Sequence, residues 1–199
     1  MLPNSFYQQP TLELARALLG QTLVRNYQGE RLSGRIVEVE AYHQHQDEAA
    51  HSFGGPTPRN RIMFGPPGFL YVYFIYGMHY CMNVVSEAEG VGAAVLIRAI
   101  EPLEGLSTMQ RLRGPKIKTS QLTNGPAKCC QALAINGEHD GLDLQGSGLF
   151  IEVGDPPASP EIAVSGRIGI SKSVDLDWRF YIKDNPYVSK GPIKGGTRP

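Results

Sequence analysis

The sequence predicts an α+β fold: one domain built round a curved, mostly antiparallel β-sheet flanked by helices. Two observations carry this. Segments of strand character follow one another with only short turn signals between them. The helical segments do not alternate with them as parallel crossovers require. The chain of 199 residues, 41% hydrophobic and 19% charged, is long enough to bury a core and is composed like a globular domain.

The elements are read in order. Residues 12–19 carry apolar side chains at helical spacing, with Gly20 as a stop, and predict a first helix. Residues 22–25 and 34–42 predict strands, the second strongly alternating. One helical turn is expected over 47–51, followed by a Gly- and Pro-rich loop over 53–68 long enough to suspect function. Residues 70–76 and 79–86 predict paired strands joined by a tight turn at Gly77 and Met78. A buried strand is expected over 93–100, and helices over 102–112 and 126–133, the latter entered through Gly125-Pro126. Later strands are expected over 149–153, 162–170 and 179–182, and a loose tail over the last ten residues.

No apolar run reaches the roughly 18 residues of a membrane span, and the N-terminus has no basic region or apolar core of a signal peptide. An intracellular, cytoplasmic, nucleoid-associated monomer is the expectation. The cysteines Cys81, Cys129 and Cys130 make neither a disulfide framework nor a zinc spacing and are read as reduced core thiols. Net charge is zero, so only its distribution informs. Between Gly105 and Gly137 stand five basic residues and no acid, and Arg59 and Arg61 make the long loop basic. Charge permits a nucleic-acid face without establishing one.

Three segments carry possible chemistry. Strand alternation through Arg35 to Tyr42 sets Val37, Val39 and Ala41 on one face, and Ile36, Glu38, Glu40 and Tyr42 on the other. Two carboxylates beside an aromatic ring make either a site or the solvent side of a half-exposed strand, and alternation alone points first to solvent. His43, His45, Asp47 and His51 invite a metal, but their spacing matches no ligand motif, and no metal is expected. The stretch 70–80 holds four tyrosines in eleven residues. Tyr71 and Tyr73 share one strand face, and Tyr76 stands at the turn. Tyrosines in strands are usually packing, whereas an aromatic at an exposed tip can serve as a wedge between stacked bases.

Taken together and in order, these segments resemble one family. They are Gly34-Arg-Ile-Val-Glu-Val-Glu-Ala-Tyr42, Asp47-Glu-Ala-Ala-His-Ser52, Thr57-Pro-Arg-Asn-Arg61, Tyr71-Val-Tyr-Phe-Ile-Tyr-Gly-Met78, Cys81-Met-Asn-Val84, Leu96-Ile-Arg-Ala-Ile-Glu-Pro102, Gly125-Pro-Ala-Lys-Cys-Cys-Gln-Ala-Leu-Ala-Ile135 and Arg167-Ile-Gly-Ile170, the last shortly before Trp178-Arg-Phe-Tyr181. The chain resembles the alkyladenine (3-methyladenine) DNA glycosylases of bacteria. The likeness runs over about residues 12–189.

The resemblance implies base-excision repair of double-stranded DNA carrying damaged purines, by a monofunctional glycosylase without a cofactor, and a β-hairpin that enters the minor groove. It implies Glu40 as general base, with Arg98 and the main-chain carbonyl of Ile170 holding the attacking water. Tyr42, His51 and Tyr73 are then expected to line the base pocket, and Asn83 to exclude normal guanine. Tyr76 is expected to fill the gap left by the flipped nucleotide, with Met78 beside it. Arg59, Lys128, Arg167, Ser171 and Lys172 fall at expected phosphate contacts. Glu38 is given no catalytic role. The loop at 54–57 is shorter than in mammalian members, and His79 stands where those carry a tyrosine. The rival expectation is a non-catalytic nucleic-acid-binding module of the same fold.

Overall fold

In the computed structural model, residues 1–191 are described, so the expected tail lies almost wholly outside them. Two short helices, α1 (Asn4–Tyr7) and α2 (Thr11–Leu18), precede the sheet. Helix α2 buries Leu14, Ala15 and Leu18 on one face, and Gly20 at φ +84° turns the chain away, as the stop signal predicts. Strands β1 (Thr22–Tyr27) and β2 (Glu30–His43) form a hairpin. Its two-residue loop, Gln28 and Gly29, has both φ values positive, the requirement of a type I′ turn.

Strands β3 (Leu70–Ile75), β4 (His79–Val85) and β5 (Ala93–Glu104) follow, then helices α3 (Leu106–Arg113) and α4 (Pro126–Ala132). Strands β6 (Leu149–Glu152), β7 (Ile162–Ser165) and β8 (Arg179–Ile182) complete the sheet. Every pairing is antiparallel, in the order β3-β4-β5-β2-β1-β6. Strand β2 is the spine. One edge pairs along β5, while the other is shared between β1 and, further on, β8, which carries β7. The fold is thus the single-domain α+β arrangement with a curled antiparallel sheet that the sequence predicts. The core lies between this sheet and α2, α3 and α4, and includes Cys129 and Cys130 as buried free thiols. No helix among the described residues is long and apolar enough to cross a membrane.

Three expectations are corrected. The helix expected over 102–112 starts only at Leu106, because β5 continues through Pro102, paired with Gly34, and ends where Gly105 takes φ +77°. The strand expected over 162–170 stops at Ser165, and the chain leaves the sheet as a loop. Residues 47–51 form turns, one closed by the Ala50 N–H on the Asp47 carbonyl at 3.0 Å, without a helix.

Candidate active site

The strict alternation read in β2 is broken by two bulges. Ile36 pairs with Ile100 and Glu38 with Ala99, which leaves Val37 unpaired; Val39 then pairs with Ile97, which leaves Arg98 unpaired on β5. A bulge puts consecutive residues on one side and increases local twist. Ile36 and Val37 accordingly both enter the core, contrary to the expected face of Ile36. Glu38 and Glu40 keep a common face, but it is not the solvent side: both are 0% exposed.

Buried carboxylates need donors, and the two find different sets. Glu38 takes Arg98 Nε at 3.0 Å, Arg179 Nε at 2.7 Å, and both the N–H and the hydroxyl of Ser189 at 2.7 Å each. Glu40 takes three: Arg98 Nη1 at 3.1 Å and the Tyr42 hydroxyl at 2.8 Å on Oε2, and the Ile168 N–H at 2.7 Å on Oε1. A carboxylate offers about four acceptor positions. Glu38 receives four donors, three of them on Oε1 and one on Oε2, whereas Glu40 receives three, two on Oε2 and one on Oε1. Burial pulls the Arg98 guanidinium down, but Glu40 and Glu38 beside it outweigh this and raise it further above the arginine range.

The three residues that donate to Glu40, Tyr42, Arg98 and Ile168, also wall a cavity of about 590 Å³, together with His51, Tyr73, Asn83 and Ile170, among others. The expected pocket residues therefore converge, although they come from β2, the following turns, β3, β4, β5 and the loop after β7. Tyr71 and Tyr73 stack at 5.6 Å, and the His51 ring meets Tyr73 edge-on at 4.5 Å. His51 Nδ1 lies 2.9 Å from the Tyr71 hydroxyl. Burial, then the charge of Arg59, lowers His51 below the usual imidazole range. Burial pushes the Tyr71 phenol up to about 12 and raises Tyr42 and Tyr73 as well, so all three stay protonated. Asn83 is buried and donates to the Tyr71 carbonyl at 3.2 Å.

The β3–β4 hairpin ends in a three-residue tip in which Tyr76 (φ +54°) and Gly77 (φ +69°) are both left-handed. Tyr76 is 80% and Met78 70% exposed. Tyr76 also lines the cavity. Among the expected phosphate contacts, Arg59 and Ser171 are exposed and Lys172 is exposed beside Glu48, 3.3 Å away. Lys128 is half-buried and donates to Asn124 Oδ1 at 2.7 Å. Arg167 corrects its expectation: its side chain is fully buried and forked onto Asp47 at 2.6 and 2.7 Å, so it is spent inside the protein.

The histidine-rich turn also disperses. His43 approaches Glu87 at 3.5 Å, Asp47 holds Arg167 and His51 meets Tyr71. Among the described residues no group of three or more His, Cys, Asp or Glu gathers as a metal site. Sequence reading missed Asp47, Ile168, Arg179 and Ser189 as partners of the site. Arg179 carried one signal, a cation within an otherwise apolar and aromatic strand.

A family model described as methylpurine-DNA glycosylase matches residues 5–186. A protein of Carboxydothermus hydrogenoformans is 52% identical over 191 residues, 96% of this chain and 99% of that one. One of Alkaliphilus oremlandii is 48% identical over 200 residues, 95% of this chain and 98% of that one. One of Methanocella arvoryzae is 48% identical over 194 residues, 96% of each chain. All three carry the provisional name 3-methyladenine DNA glycosylase.

Proposed function

The chain belongs to the methylpurine-DNA glycosylase family and is a DNA glycosylase of DNA repair, and we propose that it extrudes an alkylated purine from duplex DNA and hydrolyses its bond to the sugar with Glu40 as the base for water. The observation that carries this is the asymmetry of the two buried carboxylates. All three donors on Glu40 come from residues that wall the aromatic cavity, Tyr42, Arg98 and Ile168, whereas of the three residues that donate to Glu38 only Arg98 does.

A base inside the stack hides its sugar carbon, and extrusion costs a few kcal/mol, least for a damaged base. Stacking on an aromatic ring is worth about 1–3 kcal/mol, so Tyr42 or Tyr73 around the base and Tyr76 in the gap match that cost. A cavity of about 590 Å³ suits a purine-sized ligand. The lesion in question carries positive charge. The Tyr faces favour a cation, and the lowered His51 stays neutral at pH 7 and does not repel it.

In the chemical step a water oxygen bonds to the sugar C1′ as the bond from C1′ to the purine breaks. The electron pair leaves with the purine, which departs neutral because it was cationic, and the water proton passes to Glu40. The products are the free base and an abasic sugar. Good leaving ability removes the need for the second carboxylate that glycoside hydrolysis usually employs, and the Glu40 charge stabilises the oxocarbenium-like state. Arg98 Nη1 fixes Oε2 and leaves Oε1 to the water.

General-base catalysis contributes about 10²–10⁴-fold. Glu40→Gln is therefore expected to lose at least about a hundred-fold in release of 3-methyladenine from duplex DNA while still binding the lesion. A wild-type release rate in that variant removes Glu40 from the mechanism. With water as the nucleophile the enzyme is monofunctional; Lys128 and Lys172 line the cavity, and a borohydride-trapped protein–DNA adduct on either refutes that reading.

A further inference from the structure

We infer that the buried pair Asp47–Arg167 is a positioning device that sets the donors on Glu40 and the face of Tyr42, an inference that rests on the excision reading above. Arg167 lies in the loop that leaves β7, and Asp47 in the turns that leave β2. Their side chains are 0% exposed and meet in a two-pronged fork, Nη1 to Oδ2 at 2.7 Å and Nη2 to Oδ1 at 2.6 Å.

The fork reaches the site along two routes. Arg167 Nη1 also donates at 3.0 Å to the carbonyl of Ala41, the residue between Glu40 and Tyr42. Its guanidinium sits 4.6 Å over the Tyr42 ring, with the Trp178 ring 5.4 Å away. The peptide that follows Arg167 is the one whose N–H lies on Glu40 Oε1 at 2.7 Å. Two of the three donors on Glu40, the Tyr42 hydroxyl and the Ile168 N–H, are thus held by Arg167 through stacking or through the chain itself. Asp47 in turn accepts from the N–H of His43 and of Ala49, which anchors the segment leading to His51. The two loops supply facing parts of the cavity wall, Ala49 and His51 on one, Ile170 and Lys172 on the other.

Stability does not explain such a pair. A buried ion pair commonly repays little more than its own desolvation, and apolar replacements of similar volume are often neutral. Arg167 Nε is moreover buried without a partner, a further cost. What the fork supplies is fixed direction, since the guanidinium plane defines both its own carboxylate and the stacked ring.

The test compares full-length wild type, the apolar double variant Asp47→Leu/Arg167→Met, and Arg167→Lys. Release of 3-methyladenine from duplex DNA is followed in single turnover at saturating enzyme, with lesion-duplex affinity and thermal melting measured on the same samples. The double variant is expected to melt within a few degrees of wild type, yet to lose at least ten-fold in the saturating rate, with Arg167→Lys recovering part of it. A folded double variant that loses less than ten-fold overturns the inference, as does one whose affinity falls while its saturating rate does not. Should the double variant fail to fold, the isosteric Asp47→Asn is read against the same ten-fold line. Wild-type protein that releases no base overturns the excision reading and this inference with it. Wild-type release alongside unchanged release by the folded variants overturns this inference alone.

Discussion

Glu38 and Glu40 are the same residue type on the same face of one strand, two positions apart, and their neighbours separate their roles. Glu38 joins Arg98, Arg179 and Ser189, and so ties three strands to the end of the described chain. Glu38→Gln leaves Arg179 without a carboxylate, and breaking a buried pair in this way costs about 3–5 kcal/mol. Glu40→Gln leaves Arg98 still held by Glu38 and is expected to cost clearly less. Urea unfolding of the two variants checks this, and equal losses refute the division of labour. Little of that division is legible along β2 itself. The partners Arg179 and Ser189 of Glu38 stand 141 and 151 residues away in sequence, and period-two patterning carries no information about them. Alternation set both carboxylates on one face, but it could not tell a solvent face from a buried one, and Arg98 and Arg179 decide that. Alternation already set Tyr42 beside the carboxylates, but His51, Tyr73 and Asn83 as its companions were legible only through family likeness, because each stands on a different element.

The elements with strong local signals stand where the sequence predicts them: α2 before Gly20, α4 behind Gly125-Pro126, and the tyrosine-rich hairpin β3–β4. Those that fail do so where a long-range contact or a bulge overrides local preference. Strand β5 keeps pairing through Pro102 because β2 is there to pair with, and the loop after β7 leaves the sheet at Gly166 and continues into Arg167. The hairpin tip records the opposite case, a local cost kept in place. A tyrosine at φ +54° is uncommon, and a left-handed non-glycine residue costs on the order of 1–3 kcal/mol. Its ring is mostly in solvent, so no packing of the free protein repays it. Tyr76→Gly is therefore expected to melt at or above the wild-type temperature, while base release from duplex DNA falls about ten- to a hundred-fold, the worth of one stacked ring. Release of the same lesion from a single strand, which has no gap to fill, is expected to change much less. A variant that is destabilised, or that loses both substrates equally, removes the wedge.

The molecule has no net charge, yet it buries two glutamates, an aspartate and three arginines around β2. Its response to pH is governed by a smaller set. His51 and His139 are both held below the usual imidazole value, by burial first and then by the charges of Arg59 and Arg25 respectively. Between those lowered folded values and the ordinary value near 6.5, the unfolded chain binds more protons than the folded one. Stability from these two groups is then complete above about pH 6.5 and is lost as pH falls toward the folded values. The shifted carboxyls act lower. Burial raises Glu87, but its Thr11 donors outweigh this and hold it below the usual range, so its contribution is lost only below about pH 4.5. Asp140, raised by burial, works with the opposite sign from its ordinary value of 3.8 upward and so cannot produce a loss on acidification. Denaturant midpoints taken at pH 7.5 and 5.5 should therefore fall on acidification, by up to about 1.4 kcal/mol for each unit of histidine shift. His51→Gln/His139→Gln should flatten that fall. A flat wild-type profile, or an unchanged slope in the double variant, refutes the assignment. Protonating His51 also sets a positive ring beside a positive base, so the acid limb of excision should lie in the same window as the loss of stability.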